Sequence, residues 1–154
     1  MEAPAMEQPV PGESLAEATS GHRSGRILVA EDDVHMRRLV ATILRSSGYR
    51  VVEACDGAEI LDRIESTIWA DRQDLFGAIV SDMNMPALTG LDVLAALRCT
   101  AVDTPFILIT AFGDDSVRAE AAALGAAAVL DKPFEVEDLL RVIRRLRAEG
   151  EWCG

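Results

Sequence analysis

A doubly wound α/β domain with a five-stranded parallel sheet is the fold predicted by this 154-residue chain. Three observations predict it. Five short apolar runs recur, each followed by a segment with helical spacing. Four of the runs stop at residues able to carry chemistry. The composition, 49% hydrophobic but only 5% aromatic, suits an aliphatic interior of one domain.

Ile27 to Ala30 is a continuous apolar run ending at Glu31, Asp32 and Asp33, as in a buried parallel strand that feeds an acidic loop. Three adjacent carboxylates repel one another. They read either as a solvated turn in which Asp33 caps the next helix, or as a cation site that relieves the repulsion. Val34 to Ser46 carries Met36, Leu39, Val40, Ile43 and Leu44 at helical spacing, with Gly48 as a stop. Tyr49 to Ala54 returns to strand, and strand, helix, strand implies a right-handed crossover. Asp56 and Gly57 turn into a second helix, Ala58 to about Ile68, with Ile60, Leu61, Ile64 and Ile68 on one face. The stretch TIWADRQDLFG (67–77) is long for the link that follows, which points to an extended helix or an extra turn. Trp69 within it reads as a core or helix-extension residue, or alternatively as an exposed partner anchor.

Ala78 to Val80 forms the third strand, ended by Ser81 and Asp82, and Pro86 forbids it from continuing far. Asp82 thus lies at a strand's carboxyl end, where open α/β sheets bind ligands; it reads as a site residue or as a loop-solvating acid. Gly90 to Arg98 makes a third helix on Leu91, Val93, Leu94 and Leu97. Thr104 and Pro105 precede the run Phe106 to Ile109, which ends at Thr110. Gly113, Asp114 and Asp115 open a fourth helix, Ser116 to Leu124, closed by Gly125; its many alanines make it narrow and weakly anchored. Ala126 to Leu130 is a fifth strand ending at Asp131, Lys132 and Pro133. Glu135 to Ala148 is the last helix, on Val136, Leu139, Leu140, Ile143 and Leu146.

Residues 1–25, rich in Pro, Gly and Glu without periodicity, read as a disordered N-terminal tail, with a docking peptide as the alternative. The domain then spans 26–148, and 149–154 is a short C-terminal tail. The formal charge of −11 argues against direct binding to nucleic acid or to an anionic membrane, since phosphate contacts need clustered Lys and Arg. Cys55, Cys99 and Cys153 are odd in number and widely spaced, which indicates neither a disulfide framework nor zinc. No apolar run approaches the roughly 18 residues of a membrane span, and the N-terminus lacks the order of a secretory signal. A soluble, unprocessed, cytoplasmic protein is the expectation.

In a parallel sheet the carboxyl ends of the strands line one edge. There the chain delivers Glu31 and Asp32, Asp82, Thr110 and Lys132. Three carboxylates with open positions suit a hard octahedral cation such as Mg²⁺, and a hydroxyl and an ammonium complete a site for a phosphoryl group. With ILVAEDD, VSDMNMPALTG, ILITA and LDKPF in this order and at these strand ends, the stretch from about Arg26 to Arg147 resembles a response-regulator receiver domain of two-component signalling. The resemblance implies the flavodoxin-like fold, strand order 2-1-3-4-5. It makes Asp82 the phosphorylated aspartate and Glu31 and Asp32 the acid pair, with the backbone carbonyl of Asn84 as a further Mg²⁺ ligand. Thr110 and Lys132 would contact phosphoryl oxygens, and a cis bond before Pro133 would aim Lys132 inward.

On that reading the Asp82 carboxylate attacks phosphorus on a histidine kinase, a histidine phosphotransfer protein or a small phosphodonor, while cations align and neutralise the transferring group. Output to a downstream protein target would follow from movement of Thr110 and rearrangement around the fourth and fifth helices, which could also pair in a homodimer. Two departures stand out. Val129 occupies the place where the family usually has an aromatic in the fifth strand, and the 67–77 link is long. Phe112 would either shield an acyl phosphate from water or simply pack. A stand-alone phosphoacceptor is the leading expectation, because no further domain follows the last helix. Its competitors are an interaction module that is never phosphorylated and a phosphatase with an aspartyl-phosphate intermediate. The phosphatase usually wants a second acid where Asn84 stands.

Overall fold

The computed structural model describes residues 25–68, 76–100, 102–111 and 114–149. Ten elements alternate: β1 (Arg26–Ala30), α1 (Val34–Ser46), β2 (Arg50–Ala54), α2 (Gly57–Ile68), β3 (Ala78–Asp82), α3 (Gly90–Arg98), β4 (Phe106–Ala111), α4 (Asp115–Ala123), β5 (Ala128–Lys132) and α5 (Val136–Ala148). The strands pair in parallel in the order β2-β1-β3-β4-β5, the flavodoxin-like order expected. The N-terminal tail to residue 24, most of the long link with Trp69, Phe112, and residues 150–154 with Cys153 lie outside the described residues. Among the described residues, Cys55 and Cys99 are free and no helix is long and apolar enough to cross a membrane.

The two-residue period of a strand splits the interior in two. Ile27, Val29, Ala78, Val80, Ile107 and Ile109 face one side, covered by Val40 and Leu44 of α1 and by Leu139, Leu140, Ile143 and Leu146 of α5. Leu28, Ala30, Ile79, Phe106 and Leu108 face the other. There α2 contributes Ile60 and Ile64, α3 contributes Leu91, Val93, Leu94 and Leu97, and α4 contributes the buried Ala121 with a partly buried Val117. Burying each large apolar side chain stabilises the fold by about 1.5–3 kcal/mol, so the sheet's centre holds the molecule together.

The helix starts are set by side chains that satisfy the first free N–H groups. Asp33 caps α1, accepting from the N–H groups of His35 and Met36. Thr89 and Asp92 cap each other's backbone at α3, and Asp114 accepts from Val117 at α4.

Three strands end later than their apolar runs. β3 continues through Ser81 and Asp82, and β4 through Thr110 and Ala111, because each polar residue still has a partner in register: Asp82 lies opposite Ile109, and Thr110 opposite Asp131. The fifth strand, expected at Ala126 to Leu130, runs from Ala128 to Lys132. Gly125, at φ 81°, turns the chain, Ala126 N–H returns to the Ala121 carbonyl, and only at Ala127, which donates to the Phe106 carbonyl, does the chain join the sheet. An unbroken alanine run carries no alternation from which to read that register.

Candidate functional site

Asp82 is the last residue of β3, and its side chain is 3% exposed. One oxygen, Oδ2, accepts the Asn84 N–H at 2.9 Å. The other, Oδ1, forms an ion pair with Lys132 Nζ at 2.7 Å and has no hydrogen-bond donor beyond that ammonium among the described residues. The backbone behind Asp82 is closely packed: a Cβ on Gly90 would lie 2.7 Å from the Asp82 carbonyl oxygen and 2.5 Å from Leu108 Cδ1. Only glycine lets α3 begin so near the strand.

Glu31 follows β1 and prolongs its pairing, since its N–H donates to the Ala54 carbonyl at 3.1 Å. Its carboxylate is buried; Oε2 accepts the Asp33 N–H at 3.2 Å, and Oε1 lies 3.5 Å from Lys132 Nζ. Asp32 is exposed beside it. One oxygen from each of Glu31, Asp32 and Asp82 lies within 4.8 Å of the others, so the sheet brings together the three acids expected there. Asn84 is joined to them through its N–H, two residues beyond Asp82.

The electrostatics follow from this crowding. Burial is the main cause that raises the Glu31 pKa above the ordinary range; the Asp33 N–H and the Lys132 charge oppose the rise, and the Asp82 charge adds to it. Burial alone would lower the Lys132 pKa, but the bond and charge of Asp82, with Glu31 behind them, raise it on balance. Lys132 therefore stays an ammonium between two acids. The Lys132–Pro133 bond is cis.

Thr110 is 1% exposed, and its Oγ1 has no hydrogen-bond partner among the described residues. A buried hydroxyl left unpaired costs about 1–3 kcal/mol. At the same sheet edge as Asp82, whose Oδ1 is met by Lys132, it leaves one buried donor unfilled among the described residues. The donor set fits a hard cation: carboxylate oxygens with room for waters suit Mg²⁺, and Glu31, Asp32 and Asp82 are the residues that could hold it. Asp33 stays outside this set as the helix cap.

Reading the sequence missed Arg37. Its Nη1 donates to the Glu31 carbonyl at 2.8 Å, and its Nε donates to Glu53 Oε1 at 3.1 Å. A residue that touches the acidic loop through its guanidinium, not through an acid of its own, leaves no spacing signal. Val129 is half-buried in β5 and packs on the face lined by α2, α3 and α4.

Residues 27–144 match the family described as response regulator receiver domain. Response regulator MprA of Mycobacterium bovis (strain BCG / Pasteur 1173P2) is 42% identical over 123 residues, covering 80% of this chain and 50% of that protein. The chain thus spans about half the length of the curated relatives it matches. Chemotaxis protein CheY4 of Vibrio cholerae superposes with a TM-score of 0.69 at 31% identity, covering 79% of this chain and 98% of that one. Response regulator TrrA of Thermotoga maritima, solved in complex with Mg²⁺-BeF, gives 0.67 at 27% identity, covering 79% and 97%. With this match over most of its length and the same sheet order, the chain belongs to the response regulator receiver domain family.

Proposed function

We propose that the chain accepts a phosphoryl group on Asp82 in a Mg²⁺-dependent transfer, with residues 26–148 as the working unit. The observation that carries this reading is the Asp82 carboxylate itself: buried, ion-paired to Lys132 at 2.7 Å, and within 4.8 Å of two further acids. An Asp82 oxygen attacks phosphorus on a donor phosphohistidine. The new P–O bond forms as the P–N bond breaks, and the nitrogen keeps the electron pair. Lys132 holds positive charge where the phosphoryl oxygens gather, and the Thr110 hydroxyl supplies a donor that has no other partner among the described residues. Glu31, Asp32, Asp82 and the Asn84 carbonyl would hold the Mg²⁺, which contributes charge neutralisation and alignment. TrrA, a relative with the same fold, takes up Mg²⁺-BeF, which supports this assignment.

The donor is a histidine kinase or a histidine phosphotransfer protein, and the readout is a downstream protein contacted through the β4, β5 and α4 edge. Self-association through α4 and α5 is a further part of the proposal. The test is the intact mass after incubation with Mg²⁺ and acetyl phosphate. Wild-type protein is expected to gain one phosphoryl mass, and Asp82→Asn none. A gain that persists in Asp82→Asn, or none in either protein, contradicts the assignment.

A further inference from the structure

We propose that Arg37, anchored by Glu53, is a positioning residue that sets how tightly the Glu31, Asp32 and Asp82 cluster binds a divalent cation; this rests on the site reading above.

Glu31 is gripped from two sides. Its N–H is held by the Ala54 carbonyl of β2, and its own carbonyl by Arg37 Nη1 at 2.8 Å. The same guanidinium reaches back to β2, where Nε pairs with Glu53 Oε1 at 3.1 Å. Glu53 is fixed in turn by Arg45, whose Nη1 lies 3.2 Å from Oε2 and whose Nη2 donates to the Val51 carbonyl at 3.0 Å. The Arg37 N–H also donates to the Asp33 carbonyl at 2.9 Å, so both ends of the acidic loop 31–33 are tied to this one residue. With its side chain 15% exposed, Arg37 is much drier than a surface ion pair.

The chain of contacts answers a mechanical need. Three carboxylates within 4.8 Å repel one another, and the one ammonium among them, Lys132, sits closer to Asp82 (2.7 Å) than to Glu31 (3.5 Å), so the loop carrying Glu31 and Asp32 would relax by swinging away from Asp82. Arg37 opposes that swing through the Glu31 peptide, with its charge matched locally by Glu53. A planar fork can serve the carbonyl and the carboxylate together, whereas the single nitrogen of lysine cannot reproduce that geometry. Residues that orient metal ligands typically change metal affinity by about 10–100-fold when removed.

Charge and positioning give opposite signs, which makes the proposal testable. Deleting a positive charge near a cation site should tighten cation binding; loosening the Glu31 backbone should weaken it. Mn²⁺ serves as the probe, titrated by electron paramagnetic resonance into the 154-residue wild type, Arg37→Ala, Arg37→Lys, Glu53→Gln and Asp82→Asn, with circular dichroism confirming each fold. Arg37→Ala is expected to weaken Mn²⁺ binding about tenfold. Arg37→Lys and Glu53→Gln are expected to weaken it by a smaller factor. The Mg²⁺ concentration for half-maximal phosphorylation by acetyl phosphate should rise in step. Should Arg37→Ala not fold, the other two variants carry the same test. Affinity unchanged or tightened in the folded variants overturns the positioning role. Wild type that binds Mn²⁺ no better than Asp82→Asn overturns the site reading, and this proposal with it.

Discussion

Leu108 and Val129 stand side by side in register on β4 and β5, yet Leu108 is fully buried and Val129 is only half covered. The contrast runs through the whole molecule. At the sheet's centre β3 is buried along its length, and α1 packs over the adjacent strands with Val40, Ala41 and Leu44 inside. At the far edge every residue of β5 is partly exposed, and α4 buries Ala121 alone. Polar clamps there add to thinner packing: Arg118 pairs with Asp131 and donates to the Val129 carbonyl, and Arg98 of α3 donates to the carbonyls of Leu124 and Gly125 at the end of α4. The acids of the site therefore stand on the rigid part of the fold. Thr110 and Lys132 connect them to a less deeply buried edge, held by the β4–β5 ladder and a few polar clamps. We read the first as the place of chemistry and the second as the place of response, with Arg118 tying α4 to the strand on which Val129 stands in the aromatic's place.

The sharpest way to break this contrast is to delete the same chemistry on both sides of it. Leu108→Ala should cost about 2–5 kcal/mol in urea unfolding, through lost burial and a residual cavity. Val129→Ala, its half-covered neighbour in register, should cost about 1 kcal/mol or less. Equal losses would mean that the edge is packed as firmly as the centre. Gly90→Ala comes next, at about 1–3 kcal/mol, because the new methyl meets the Asp82 carbonyl and Leu108 Cδ1. It should also slow phosphorylation, and a variant as stable and as fast as wild type would show that the strand end yields.

Smaller still, Asp131→Asn removes a half-exposed ion pair and should change stability by about 0–1 kcal/mol. Amide exchange in α4 should nevertheless accelerate while that in α1 does not. The least effect is on the rigid side. The Cys55 N–H, then Cys55 Sγ and Arg63, hold the Glu59 carboxyl below the ordinary range. A depressed carboxyl pKa stabilises above the unfolded value and loses that contribution as pH falls through the folded one. Glu59→Gln should therefore flatten slightly the acid side of the stability profile below about pH 5 and leave neutral pH nearly unchanged.

The centre was also the legible part of the sequence. Continuous apolar runs marked β1, β3 and β4, and the apolar spacing with its stop signals located α1 at Val34–Ser46 and α3 at Gly90–Arg98, the bounds observed. At the edge, the run from Ala126 to Ala128 is uniformly small, so neither alternation nor bulk could distinguish turn from strand, and β5 lies two residues later than expected. The convergence of Glu31, Asp32, Asp82, Thr110 and Lys132 was legible because each acts through its own side chain at a strand end. Arg37 and Glu53 were not: 16 residues apart, on a helix and an edge strand, they meet only through the fold. Gly90, read only as the start of a helix, gains its meaning from how closely α3 approaches Asp82.

Peptide-resolved hydrogen exchange with and without Mg²⁺ and beryllium fluoride, on wild type and Asp82→Asn, tests most directly whether chemistry at the centre is answered at the edge. The expected result is a change in β4, β5 and α4 of wild type alone, with α1 and β1 unaffected outside the acidic loop. A change confined to α1 and β1, or the same change in Asp82→Asn, would contradict it.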